Sequence, residues 1–146
     1  MEKYELRLIE KCDYKSQYFA LLRQLTSCNE ERITKNSFDQ FIDSLDSFHQ
    51  IWVLEEKESG KIVGTGTLYI EQKIIHDMGK VGHIEDIVID SMCRRVGLGE
   101  KLVGHLKETG FKLGCYKIIL DCSEDKKGFY QRCGFQEKGI MMDSRI

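Results

Sequence analysis

Arg94-Arg95-Val96-Gly97-Leu98-Gly99 follows the apolar-rich run His83-Ile84-Glu85-Asp86-Ile87-Val88-Ile89 and precedes a helical pattern of Leu102, Val103 and Leu106. A strand that breaks at a glycine turn and runs into a helix presents several unpaired backbone N–H groups at one point. The positive end of the helix dipole adds to them. Glycines let the backbone approach a ligand closely, and arginines contribute charge. The chemistry open to this stretch is therefore the holding of a phosphate or pyrophosphate. Spacing narrows the choice. A dinucleotide fingerprint needs a third glycine where Leu102 stands, and a P-loop needs Gly-Lys-Ser/Thr where Gly99-Glu100-Lys101 stands. Both standard phosphate loops are excluded.

Reactive groups flank the turn. Glu85 and Asp86 are consecutive acids inside an otherwise apolar strand, and regular alternation sends them to opposite faces. Asp121 ends the next strand, and Tyr130 lies in the short helical stretch after it. Carboxylates can orient a cationic amine and accept its proton, and a phenol can donate to a departing anion. Nothing resembles a Ser or Cys activated by a His base, so no covalent nucleophile is expected. The cysteines, at 12, 28, 93, 115, 122 and 133, show no C-x-x-C pair and no metal-finger spacing to a His, so reduced thiols and no metal are expected.

These groups must be carried by elements that the pattern also outlines. Tyr4–Ile9 alternates as a half-buried strand. Asp13 can cap a helix through about Leu25, and Thr34 a second one bearing Phe38, Phe41, Ile42 and Leu45. Ile51–Leu54 and Ile62–Ile70 read as a hairpin around Glu58–Lys61, with Gly64 and Gly66 marking a bulge or close backbone approach. Lys73–Gly79 is an irregular link or short strand before the Val81–Ile89 strand. A helix from about Leu98 to Leu113 then leads to the Cys115–Asp121 strand, parallel to it. Lys127–Gly134 is a short helix with a glycine stop, and Phe135-Gln136 with Gly139–Ser144 are the last strands. The fold class is α/β (α+β), a mixed and mostly antiparallel sheet flanked by helices, with 1–146 as a single domain.

Composition agrees. The 146 residues are enough for one domain that buries about two-thirds of its unfolded surface. Hydrophobic content of 41% and charged content of 32% are ordinary for a globular chain. A net charge of -2 with no long basic block argues against nucleic acid. No apolar run reaches the length of a membrane span and the first residues lack a signal-peptide core, so no membrane and a cytoplasmic start are expected.

The Arg-x-x-Gly-x-Gly pattern beginning at Arg94 resembles the pyrophosphate motif of the GNAT superfamily of acyl-CoA-dependent N-acetyltransferases. A wider set is similar, within it, to the eukaryotic glucosamine-6-phosphate N-acetyltransferases. It comprises His83–Ile87, Gly97-Leu98-Gly99, Gly114–Ile118, Leu120-Asp121-Cys122, Gly128-Phe129-Tyr130 and Cys133-Gly134-Phe135. The similarity is dense in the C-terminal half and looser toward Leu25-Thr26-Ser27 and Lys73–His76. It implies the GNAT fold and transfer of acetyl from acetyl-CoA to the 2-amino group of D-glucosamine 6-phosphate, without an acyl-enzyme. It further implies catalytic roles for Glu85, Asp86, Asp121 and Tyr130. The co-substrate would lie along Ile87, Val88 and Ile89. Its pyrophosphate would sit on Arg94, Arg95, Val96, Gly97, Leu98, Gly99 and Glu100, and Tyr130, Gln131 and Arg132 would line its thiol end and arm. The sugar phosphate would meet Thr26, Lys73, Ile74, Ile75, His76, Glu85, Asp86, Ile87, Tyr116, Lys117 and Asp121. Arg145 would reach it from the second subunit of a homodimer.

Two other functions fit the residues less well: acetylation of another amine, such as a peptide N-terminus or polyamine, and a non-catalytic CoA-binding module. Lys73, Lys117 and Arg145 favour an anionic acceptor over a polyamine. Retention of Tyr130 with Glu85 and Asp86 disfavours a dead module. Ser144-Arg145-Ile146 resembles the Ser-Lys-Leu address, which makes a peroxisome-type organelle an expected location beside the cytoplasm.

Overall fold

The computed structural model describes residues 2–146, the side chains of Arg95 and Val96 excepted. In chain order the elements are β1 (Tyr4–Leu8), α1 (Ser16–Leu22), α2 (Lys35–Ser44), β2 (His49–Glu56) and β3 (Ile62–Gln72). They continue with the one-turn α3 (Ile75–Met78), β4 (Lys80–Ile89), α4 (Leu98–Lys112), β5 (Cys115–Ile119) and α5 (Lys127–Arg132). The strands form one sheet in the order β1-β2-β3-β4-β5. Neighbours from β1 to β4 are antiparallel, and β5 joins β4 in parallel through the crossover helix α4. This is the mixed, mostly antiparallel layer that the sequence pattern implies.

Each face of the sheet has its own core. Leu98, Leu102, Val103 and Leu106 of α4 pack with Leu68, Ile84, Ile89 and Ile118. On the opposite face Tyr18, Phe19 and Leu21 of α1 and Phe38 of α2 pack with Ile9, Val53, Ile62 and Val88. Leu102 and Leu106 are fully buried, and burial of each contributes roughly 1.5–3 kcal/mol.

Local signals explain most boundaries. Thr34 accepts the Ser37 N–H and starts α2, as its type predicts. Gly60, at φ +73°, turns the β2–β3 hairpin, whose Glu56 N–H donates to the Lys61 carbonyl at 2.8 Å.

Three expectations are corrected. Asp13 does not cap α1, which begins at Ser16 behind Lys15 and ends at Leu22. Its carboxylate is buried and held by two Arg7 bonds of 2.8 Å while accepting the Glu10 N–H, so it is committed to β1 instead. The expected final strands at Phe135-Gln136 and Gly139–Ser144 are absent, since residues 133–146 contain no strand. A strand needs an edge to pair with, and within this chain the segment pairs with none. Of the two readings of the link 73–79, the short strand fails and the irregular one holds. It folds as α3, with His76, Asp77 and Met78 at φ +53°, +56° and +62°.

Candidate active site

Chemistry concentrates where β4 stops behaving as a regular strand. Thr65 pairs with Val88 and Thr67 with Glu85, so Gly66 alone faces both Asp86 and Ile87. That is a β-bulge, and its extra residue is Asp86 at φ +55°. A side chain added at Gly66 would strike Ile87 and come within 3.0 Å of Leu106, so the glycine is what allows the bulge to close. The bulge overturns the expectation that Glu85 and Asp86 point to opposite faces. Ladder partners share a face, which puts Glu85 with Thr67, and Thr67 and Asp86 line one cavity on the α1–α2 side. Ile87 packs instead against the α4 core.

The same distortion opens the sheet. β5 pairs with β4 only from Lys80↔Cys115 to His83↔Ile119. Glu85 and Asp121 each stand two residues beyond the last pair, facing each other across the opening. The electrostatics record that closeness. Burial pushes the Glu85 carboxyl above its ordinary value, and the negative charges of Asp121 and then Asp86 push it the same way against the opposing pull of His83.

At the end of β4 the chain enters the predicted anion turn. Asp90 accepts the Met92 N–H and pairs with Lys61 at 3.0 Å, fixing the start of a 3-10 turn over Ser91–Val96. Arg94 lies on that turn, and its Nε donates to the Ile89 carbonyl at 3.0 Å. The Arg95 and Val96 side chains fall outside the description. Gly97, at φ +76° with open space where a Cβ would lie, is the residue before α4. The first N–H groups of this 15-residue helix have no intrahelical partner, and its dipole adds positive potential. Glu100 in the first turn opposes an anion, but Arg132 of α5 lies 3.7 Å from it and offsets the charge.

α5 closes the third side. Tyr130 packs edge-on to Phe129 at 4.9 Å and Phe135 at 6.2 Å, half-buried against the α4 core. Burial, followed by the nearby Cys122, Cys133 and Asp121, pushes its phenol up to about 12. It therefore remains an O–H donor at any working pH. Gln131 is exposed on the same short helix.

The remaining predicted residues lie elsewhere in the chain. Lys117 pairs with Val81, four residues before Glu85 and thus about 13 Å back along the strands. Beside it Tyr116 stacks on His76 with ring centroids 4.4 Å apart. Lys73 is 3.3 Å from Glu71, while Ile74 and Ile75 are exposed. Thr26 is exposed just beyond α1, and Arg145 is paired with Asp143 at 2.8 Å in the exposed tail. One chain thus gathers Glu85, Asp86, Asp121, Tyr130 and the anion turn, but leaves Lys73–His76, Tyr116 and Lys117 at the opposite end of β4. Among the described residues no cluster of His, Cys, Asp and Glu is arranged to hold a metal ion.

The pattern of the Acetyltransferase (GNAT) family matches residues 16–135. The chain belongs to the GNAT acetyltransferases. It is 42% identical over 144 residues to the glucosamine 6-phosphate N-acetyltransferase of Arabidopsis thaliana, covering 97% of this chain and 95% of the relative. To the enzyme of the same name from Candida albicans it is 39% identical, covering 98% and 96%. The crystal structure of the Arabidopsis thaliana enzyme superposes with a TM-score of 0.92 at 40% identity, covering 97% of each chain. In this GNAT chain the β4 bulge, the anion turn and the α5 tyrosine occupy one end of one crossover.

Sequence reasoning missed several neighbours of the site. Tyr18, Thr65 and Thr67 line the cavity beside Asp86, and Tyr18 Oη lies 3.4 Å from Thr65 Oγ1. The threonines at alternate positions of β3 were the available signal, since they place hydroxyls on a face otherwise apolar.

Proposed function

We propose that this chain transfers acetyl from acetyl-CoA to the 2-amino group of D-glucosamine 6-phosphate, giving N-acetyl-D-glucosamine 6-phosphate and CoA. The carrying observation is the bulged opening between β4 and β5, with an anion turn at its rim, carboxylates on one wall and a protonated tyrosine on the other. Relatives similar over almost the whole chain bear that enzyme's name, which supports the choice of acceptor.

The residues fit acetyl-CoA as co-substrate. Gly97 and the first turn of α4 suit its pyrophosphate, with Arg94 and Arg132 nearby. Ile87, Val88 and Ile89 offer backbone for its arm. The amino group arrives mostly as ammonium and must lose a proton before it can attack. Glu85, with its raised affinity for protons, accepts that proton directly or through water, and Asp86 and Asp121 hold the cation in place. Nitrogen then bonds to the thioester carbon, and a backbone N–H near Ile87 or Val88 stabilises the oxyanion. The C–S bond breaks as Tyr130 donates a hydrogen bond to the sulfur. A phenol near 12 is a poorer acid than a thiol near 8.5, so Tyr130 stabilises the thiolate and its final proton comes from solvent. One proton is released overall.

A second copy completes the sugar site in this reading. Lys73, His76, Tyr116 and Lys117 lie toward the other end of β4 from Glu85, and the tail bearing Arg145 joins no strand of the sheet. Ile140 and Met142 in that tail are about nine-tenths exposed, as expected of a segment that pairs with a partner. A thiol-release assay comparing glucosamine 6-phosphate with glucosamine, spermidine and a peptide tests the function. Turnover of the sugar phosphate is expected to exceed all three; none at millimolar substrate would overturn it. Delivery to a peroxisome-type organelle through Ser144-Arg145-Ile146 is a separate proposal. Imaging a fusion that ends in this tripeptide against one lacking Ile146 decides it.

A further inference from the structure

Beside the reacting carboxylates stands an imidazole with no role in the transfer steps above. His83 occupies the last rung of the β4–β5 ladder, opposite Ile119, so it lies at the floor of the opening whose walls carry Glu85 and Asp121. Ile84 is buried in the α4 core, which puts its neighbours His83 and Glu85 together on the other face of the sheet. Successive same-face residues on a strand are about 7 Å apart, a gap that one water can bridge between two polar side chains.

The ring is held in place. His83 Nε2 lies 3.0 Å from Glu71 Oε1, and Glu71 Oε2 is 3.3 Å from Lys73 Nζ. Tyr69, its ladder partner on β3, packs tilted against it at 6.1 Å, and His49 of β2 lies behind Tyr69 at 5.6 Å. The titratable groups around it are therefore Tyr69, Glu71 and Lys73 from β3, His49 from β2 and Glu85 from β4. Lys117 and Asp121 stand two residues to either side of Ile119. Hydrogen bonds from His83 and then Lys73 hold the Glu71 carboxyl below its ordinary value. An ionised carboxylate takes up the Nε2–H, which makes Nδ1 the lone-pair nitrogen of the neutral ring.

Glu85 has use for such a neighbour. Of the groups acting on its carboxyl, His83 alone favours ionisation. Once a sugar lies over Glu85, with Asp86 and Asp121 on the cation, the proton that Glu85 has taken leaves along the sheet. The His83 side chain is 26% exposed and so offers that proton a way to water.

We propose that His83 acts through Glu85, relaying the substrate's proton to solvent, with Glu71 holding the ring in the tautomer that accepts it. The relay rests on Glu85 being the base of the proposed reaction. The Glu85 O–H bond breaks as an Nδ1–H bond forms through water, and Nδ1 then yields a proton to bulk water. Ring and carboxylate return to their starting states, and the one proton of the overall reaction leaves by this route.

The test measures thiol release from acetyl-CoA with glucosamine 6-phosphate in dilute buffer, for the wild type and His83→Gln, with imidazole or pyrazole added. The glutamine amide can still donate to Glu71 but takes up no proton. His83→Gln is expected to lower kcat at least about tenfold while KM for both substrates stays within about twofold. Imidazole is expected to restore most of that loss and to leave the wild type unchanged. Pyrazole, a ring of the same shape and a far weaker base, should restore none. An unchanged kcat, a loss that imidazole does not repair, or equal repair by both rings would overturn the relay, the last because it marks a space-filling role. Should His83→Gln fail to fold, Glu71→Gln replaces it, since the Glu71 side chain is well exposed. Its kcat at saturating substrates is expected to fall at least about threefold, and an unchanged value would overturn the relay. Absence of sugar phosphate turnover in the wild type would instead overturn the function beneath it.

Discussion

Glu85 and Tyr130 hold protons for opposite reasons and therefore answer to different measurements. The carboxyl of Glu85 sits above its ordinary value through burial and the charges of Asp121 and Asp86. As the proposed base Glu85 must be ionised to act, so its raised value is expected to set the acid limb of the rate profile. Asp121→Asn removes one repelling charge and lowers Glu85, and the acid limb of kcat/KM is expected to move to lower pH even as the maximum falls. An unmoved limb would remove that coupling. In the proposed mechanism Tyr130 acts on the leaving sulfur rather than on binding. In Tyr130→Phe, kcat is expected to drop about ten- to a hundredfold, with acetyl-CoA affinity by calorimetry changed little. Residue types at this scale were legible in the sequence, because Glu85-Asp86, Asp121 and Tyr130 stand at fixed distances from the glycine turn. Their shared face was not. Strand alternation carries no mark of a left-handed Asp86, and only the pairing with Gly66 reveals it.

At the scale of elements, the bulge is held by what surrounds it. Gly66→Ala would press a methyl group against Ile87 and Leu106, an overpacking that costs about 1–3 kcal/mol. Chemical denaturation should show that loss, together with reduced turnover as Asp86 and Glu85 shift. A variant as stable and active as the wild type would mean that the bulge tolerates a side chain at this position. The sequence showed Gly64 and Gly66 as a weak point in β3, because glycine in a strand interior has few other uses. Thr34 and the Gly60 hairpin were equally readable, since caps and turns depend on adjacent residues. Asp13 was misread because its decisive partners, Arg7 on β1 and the Arg7-linked Glu55 on β2, arrive only with the sheet.

For the whole molecule, one chain gathers the groups proposed to react but not every group expected to touch the sugar. If Arg145 serves the neighbouring copy, two defects in different chains can cover for each other. Tyr130→Phe and Arg145→Ala proteins, each weak alone, are expected to regain up to about a quarter of wild-type activity per site when unfolded and refolded together. That fraction follows from random pairing, which leaves one intact site in each mixed pair. No recovery, with dimers confirmed by sedimentation, would place Arg145 outside the partner's site. The terminal strands were misjudged at this scale for the same reason: residues 139–144 have strand composition but no edge to pair with in a single chain.

The opening in the sheet has a consequence for timing. In the proposed reading donor and acceptor come to the bulge from opposite faces of the sheet, so neither needs to leave for the other to enter, and no acetylated enzyme is expected between them. Initial rates at varied concentrations of both should give intersecting double-reciprocal lines. CoA should compete with acetyl-CoA but not with the amine. Parallel lines would instead require a half-reaction that stores the acetyl group on the protein. Two separate entrances would leave the order of arrival to concentration rather than to the fold.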